Sequence, residues 1–527
     1  MNNTLPLLKG IITLGEALGE DQDVIHQLSY PEKRAIFYVY LDRRRALIAD
    51  IVSRHLSIPL GTFHLGEVKE WIHGSFNACI PIHINTPTPR PDLPERAIIR
   101  FPLPYKTGEE HFPGNVDEKL RCEAATYVWL QQNCPDVPIP RLFGFGFPGT
   151  PSLTALENEP FWNRIRWFFR NAIARLAGKR LPRYFAHPRH NLLEVGYLVI
   201  EHVAEGRMLS ESWKEHHGDQ NRRSNLFRGL SRIMLSLAKI PLPRIGSWTM
   251  DNQGILSLTN RPLTFHLHQL ENQHIPTGIP RDLTYASADT YLSDILTYHD
   301  QRMRHQPNSI HSQRDGEDQL AALATMRLLL PEFTHRRFRE GPFVMALTDL
   351  HQSNIFVDED WHITRLIDLE WACVRPIEMV LNPPYWLSSQ SAGPSALGVD
   401  QLIGEERGKY AERHREFASA FEREEEAAAA ALHGQSKSKN ELTRILRDSW
   451  ERGTFWYMQA LDCPSALYAL FMFHIQPRFA QLDNAALDEF SRFVMPYWGR
   501  DTQRFIVDKV RQQGEYEEKL RGLFARN

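Results

Sequence analysis

LTDLHQSNIFVD (residues 347–358) and LIDLEWA (residues 366–372) place Asp349, Asn354 and Asp368 within one short region, each ringed by aliphatic residues. A carboxylate moved toward a core is costly unless a cation or a hydrogen-bond donor compensates it. Three such polar groups this close therefore indicate a site. IFV after Asn354 and ITRLI before Asp368 are β-rich, and DEDWH between them has turn composition, so the segment reads as a hairpin. Asn354 enters at one end and Asp368 leaves at the other, which brings both side chains to one mouth. An amide oxygen and a carboxylate are hard ligands suited to magnesium that keeps phosphate oxygens and water in its other positions. Asp349, five residues before Asn354, faces the same cavity and is suited to accepting or orienting a proton.

The sequence around these residues resembles the aminoglycoside phosphotransferase and choline kinase-like family, whose members share the protein-kinase fold. That family typically carries H-x-D-L-H-x-x-N followed by I-D-W/F-E, matched here by Thr348 to Asn354 and by Ile367 to Ala372. The resemblance implies an α+β, bilobal protein kinase-like fold, with a small antiparallel β lobe and a large helical lobe. It makes Asp349 the catalytic base, and Asn354 and Asp368 the magnesium ligands. Leu347 stands where the motif has His, and Leu369 where protein kinases have the Phe of D-F-G; a Leu–Leu contact replaces a His–aromatic one. Glu370 replaces the Gly of D-F-G, as in small-molecule kinases.

The resemblance extends toward the N-terminus. In HGSFNACIPIHI, which keeps only Gly74 of a glycine-rich loop, the resemblance implies that Gly74, Ser75 and Asn77 lie over the nucleotide phosphates. Arg100 in AIIRFP stands where the strand lysine grips the α- and β-phosphates, with a forked and permanently charged group. Glu123 matches the glutamate that pairs with that base. Glu201 to Val203, in GYLVIEHV, offer backbone groups to an adenine edge, and His351 adjoins the cofactor. The expected cofactors are ATP and Mg2+, and the expected partner is a small-molecule hydroxyl acceptor. An inactive nucleotide-binding pseudokinase or scaffold is the alternative. No third His at ligand spacing accompanies His351, which argues against zinc.

At 527 residues the chain exceeds what one core usually serves. Its expected organisation is an N-terminal helical extension (1–59), a small nucleotide-binding lobe (60–203) with a helical insertion (147–195), and a large catalytic and acceptor-binding lobe (204–527). Residues 29–58 read as one helix opened by a Ser29–Glu32 capping box. Residues 72–84, 96–104, PDVPIPRLFGFG (135–146) and GYLVIEHV read as strands, with a Pro-rich connection at 85–95. Residues 117–133 read as a helix. The run up to Leu432 reads as a solvated helix, followed by a polar break at Gly434 to Asn440.

Inside the insertion, FWNRIRWFFRNAIARLAGKRLPRY is rich in aromatics and Arg/Lys and has no acid. A basic aromatic helix of this kind can lie on a membrane surface. The expectation favoured here is that its aromatics occur on several sides and pack on the protein, with Arg in water.

Lys+Arg 61 against Asp+Glu 64 gives a formal charge of -3, so no global attraction to nucleic acid is expected. Five scattered cysteines without a C-x-x-C pair suit a reducing, cytoplasmic compartment. No stretch approaches the length of a transmembrane span, and no obligate protein partner is implied.

Overall fold

The computed structural model of the chain describes residues 4–86, 93–176, 178, 181–389, 398–431 and 440–526. It is a mixed α+β structure of small antiparallel sheets with an extensive helical region. The largest sheet contains β1 (Phe63–Leu65), β2 (Ile72–His73), β3 (Asn77–Ile84), β4 (Arg96–Pro102), β5 (Leu142–Gly146), β6 (Pro151–Ala155), β7 (Tyr184–His190) and β8 (Tyr197–Glu201). Its order is β1-β3-β4-β8-β5-β6-β7, with β2 also on β3, and every pairing is antiparallel. Alternation in β3 buries Ala78, Ile80 and Ile82, as a half-covered strand requires.

The N-terminal helix differs from the expectation. It is two helices, α1 (Tyr30–Asp42) and α2 (Arg45–Leu56). Ser29 is already helical (φ -77°, ψ -18°) and its side chain makes no cap; its hydroxyl donates to the His26 carbonyl at 2.7 Å. At the break Arg44 leaves helical geometry (φ -107°, ψ 13°), and Arg45 donates to the Leu65 and Gly66 carbonyls at 2.8 and 3.1 Å, tying the start of α2 to β1. Residues Thr4–Pro6 and Ile11–Thr13 add a two-stranded ribbon to the extension.

The 147–195 insertion is more than helical. It supplies β6 and β7, which widen the sheet beyond β5, and between them α4 (Phe161–Leu176). The helix α3 (Asn115–Asn133) precedes β5 and is buried on nearly all sides. Glu109 caps it, accepting from the Gly114 and Val116 amides at 2.7 Å each.

From 205 onward helices dominate, among them α5 (Gln220–Ala238), α6 (Ala288–His305), α7 (Gln313–Phe333), α8 (Gly404–Ala431), α9 (Thr454–Asp462) and α10 (Thr502–Ala525). Two features here escaped the sequence reading. Ser247–Met250 and Leu256–Asn260 form a ribbon. The helix α8 is not merely solvated: Tyr410, Phe417 and Phe421 are buried, and Phe417 packs on Phe227 of α5 at 5.5 Å between ring centroids. The Leu432 end of that run, most of the Gly434–Asn440 break, and residues 87–92 of the Pro-rich connection lie outside the described residues.

No described helix is long and apolar enough to cross a membrane.

Candidate active site

The expected hairpin is present: β11 (Ile355–Val357) pairs antiparallel with β12 (Ile363–Leu366). Asp358 builds its turn, accepting from the Asp360 and His362 amides at 3.0 and 2.8 Å. Trp361 takes a left-handed conformation (φ 64°), held by stacking on Trp213 at 5.3 Å and by donating its indole N–H to Ser212 at 3.0 Å. Below the hairpin, β10 (Phe343–Leu347) pairs with β13 (Ala372–Pro376). The strand β9 (Arg207–Met208) lies on β11. Gly206 permits that approach, because at φ 80° an added Cβ would come within 2.6 Å of the Val357 carbonyl.

These elements bring the three groups together. Asn354 donates Nδ2 to the Asp349 backbone carbonyl at 2.8 Å, leaving its Oδ1 as the atom available for ligation. The Ile367 amide donates to the Asn354 carbonyl at 3.0 Å, which joins the two ends of the hairpin. Asp368 sits at φ 57°, a strained left-handed conformation for a residue other than glycine, and strain of that kind concentrates at functional sites. Asp349 and Asp368 line one small recess, together with Leu347 and Leu369.

Burial, and then the negative charges of Asp368 and Glu370, push the Asp349 carboxyl up to about 8, against a hydrogen bond from Asn354. His351 Nε2 lies 3.7 Å from Asp349, and burial holds the imidazole below its usual range. On the other side Asp349 opens into a cavity of about 470 Å3. His351, Thr264 and Asn382 line it, with the Arg375–Asp462 pair, a two-pronged contact at 2.8 and 2.5 Å.

A buried ionic cluster connects Asp368 to the large sheet. Arg100 on β4 donates Nη2 to Asp368 Oδ1 at 2.6 Å and to Glu370 Oε2 at 3.2 Å. Its Nη1 lies 3.3 Å from Glu123 Oε1 on α3, so the expected Arg100–Glu123 pair forms. Lys119, completely buried one turn before Glu123, donates to Glu370 Oε2 at 2.6 Å and to Asn77 Oδ1 at 3.0 Å. Asn77 donates Nδ2 to the same Glu370 oxygen at 2.6 Å. Glu370 is thus the hub, and burial pushes Glu123 up to about 7 despite Arg100 and Lys119 beside it.

The sequence reading missed both Lys119 and the hub role of Glu370. The available signal for Lys119 was a lysine four residues before Glu123 in a helix otherwise fit for burial. Strict additivity of Arg100→Ala and Glu123→Ala in denaturation would show that the two side chains act independently; the 3.3 Å contact predicts a coupling of at least about 0.5 kcal/mol.

Gly74 and exposed Ser75 form the turn between β2 and β3, while Phe76 packs edge-on against Trp371 at 5.0 Å. Gly74 is not in the left-handed region, and its amide donates to the Asn77 carbonyl at 2.9 Å. Glu201 closes β8 against Arg141, whose amide donates to its carboxylate at 3.0 Å. The Glu201 and His202 amides donate to the Arg141 and Arg96 carbonyls. Val203 follows them immediately outside the strand.

A divalent cation fits the donor set. With Glu123 ionised, Arg100 and Lys119 face three carboxylates, Glu123, Asp368 and Glu370, and one negative charge is in excess; with Glu123 protonated the charges balance. Asp368 is the most exposed of the three, at 34% of its side chain. Asn354 Oδ1 and Asp368 would hold the ion, with Asp368 shared between it and Arg100. Among the described residues no group of three His, Cys, Asp or Glu side chains forms a metal site by itself, so substrate oxygens and water would complete the shell. No family model matches this chain, and no curated protein matches it either.

Proposed function

We propose that the protein is an ATP-dependent phosphotransferase acting on a hydroxyl of a small molecule, built on a bilobal kinase-like fold. The observation that carries this reading is the single chain of contacts Glu123–Arg100–Asp368, continued through the shared recess to Asp349 at the mouth of a cavity of about 470 Å3. The antiparallel sheet with α3 contributing an acid to its basic strand residue supports the nucleotide half of the proposal. The helical cavity supports the acceptor half.

In this reading the nucleotide lies between the β2–β3 turn and the hairpin, its adenine edge against the backbone of Glu201 to Val203. Arg100 steadies phosphate oxygens, and Glu123 with Glu370 fixes the guanidinium. Asp349 accepts the proton of the acceptor hydroxyl and holds the oxygen in line. Bound magnesium, held by Asn354 and Asp368, supplies positive charge that offsets the phosphate oxygens. The lining of the cavity mixes apolar Leu230 and Met234 with polar Thr264, Asn382 and Gln459, which suits an acceptor with both apolar and hydroxyl-bearing parts.

The test is purified protein with Mg-ATP against a panel of hydroxyl metabolites, following ADP release above the rate without acceptor. Asp368→Ala is expected to remove the magnesium dependence of ATP binding; unchanged Mg-ATP affinity in a folded variant would show that the ion binds elsewhere. One observation favours a second reading, a nucleotide-binding pseudokinase. Arg100 sits 2.6 Å from the Asp368 oxygen that a metal would use, and Phe76 closes down on Trp371. ATP binding with no turnover across the panel would favour it.

A further inference from the structure

The helix α4 inverts the expected arrangement. Phe161, Trp162, Phe168, Phe169, Ile173 and Leu176 are all exposed, by between 62% and 90%. At about 100° per residue they fall on one arc of about 140° along a helix about 24 Å long, not on several sides. The opposite, polar side is what attaches the helix to the protein. Trp167 donates its indole N–H to the Pro182 carbonyl at 2.8 Å, and Asn171 accepts from the Leu181 amide at 3.3 Å. Arg164 donates to the Glu159 and Glu157 carbonyls at 2.8 and 2.5 Å. The polar anchors decide the orientation, so the apolar face is left outward.

Six large apolar side chains on one exposed helix face form a patch of the kind that marks an interaction site. The charge around it selects the occupant. Between Phe161 and Leu193 the sequence has eight Arg or Lys and no acid. Arg166 and Arg175 flank the two edges of the arc, and Arg170 lies beyond Arg166 on the polar side; all three are exposed. Of the other basic residues, Arg183 is committed to Glu157 at 2.8 Å. A second copy docked face to face through the same patch would bring arginine rims together with no acid on either helix to meet them. An anionic lipid surface meets both requirements, because the rings enter the acyl boundary while arginines reach the phosphates beside it.

We infer that α4 is an in-plane anchor that docks the protein on anionic membrane surfaces. The inference does not depend on the phosphotransferase reading. The test is co-sedimentation of the full chain with phosphatidylcholine vesicles, with and without about one-third phosphatidylserine, at low and high salt. Binding to the anionic vesicles is expected to be at least about tenfold stronger than to neutral ones and to weaken with salt. Phe168→Asp with Phe169→Asp should lower it by about tenfold or more. Arg166→Ala, Arg170→Ala and Arg175→Ala together should remove the preference for anionic lipid. Because these side chains face solvent, both variants should melt with the wild type.

No sedimentation with anionic vesicles at low salt would overturn the inference, as would full binding by the folded Phe variant. A concentration-dependent dimer that the Phe variant dissolves, without vesicle binding, would reassign the face to a second copy of the chain.

Discussion

Asp349→Asn is expected to lower turnover on the order of a hundredfold or more while leaving ATP affinity nearly unchanged. The side chain lines the cavity of about 470 Å3 proposed for the acceptor and the recess shared with Asp368, and Asn preserves its size while removing the charge. The same substitution should stabilise the protein. The ordinary Asp value is 3.8, and in the folded chain Asp349 is pushed up to about 8 by burial and by Asp368 and Glu370. As pH rises between these values the unfolded chain releases this proton first. The folded state then binds more protons, and wild-type stability falls through that window. Asn does not titrate, so its stability advantage should grow from pH 4 to pH 8 and level off above. Equal turnover of wild type and variant would place the base elsewhere.

Glu370→Leu should be among the most damaging single changes in the chain. Glu370 Oε2 accepts from Asn77, Lys119 and Arg100, and both Glu370 and Lys119 are shielded from water, at 3% and 0% exposure. Leucine fills comparable space but removes the acceptor that Asn77, Arg100 and Lys119 share, and leaves the buried Lys119 ammonium with only a 3.9 Å contact to a carboxylate, that of Glu123. Removing one member of a buried ionic cluster typically costs about 3–5 kcal/mol. Urea denaturation followed by circular dichroism checks this. Lys119→Met should also be destabilising, because Asn77 and Glu370 would each lose its ammonium. The pair Lys119→Met with Glu370→Leu should cost less than the sum of the two. A Glu370→Leu protein that unfolds with the wild type would show that the cluster contributes little.

The contrast between Glu118 and Glu123 shows why burial alone does not set a carboxylate. Burial by itself pushes Glu118 up, but the His268 imidazole 3.8 Å away and hydrogen bonds from Arg261 hold it well below the usual range. Arg261 donates to it at 2.8 Å and Arg281 at 3.1 Å, while Glu123 has only looser contacts with Arg100 at 3.3 Å and Lys119 at 3.9 Å. Two acids five residues apart on one helix therefore differ because of partners far away in sequence.

The sequence by itself determined the features that depend on near neighbours. The 355–366 hairpin was legible because alternation and the Asp358 turn are local, and so were the strands of residues 77–102 and the helix at 117–133. The resemblance around Asp349, Asn354 and Asp368 likewise picked out three residues that the structure brings to one recess and its hairpin. What only the tertiary structure decided are the pairings across long separations. The hub on Glu370 joins Asn77 and Arg100 to a residue 293 and 270 positions away, and no periodicity carries that information. Lys119 remained hidden because a buried lysine is explained only by its carboxylate. The periodicity of α4 contains one apolar arc, but which side faces the protein was fixed by Pro182, Leu181 and the carbonyls of residues 157 and 159. Hydrophobic pattern says that a face exists; the hydrogen bonds of the folded chain determine where it points.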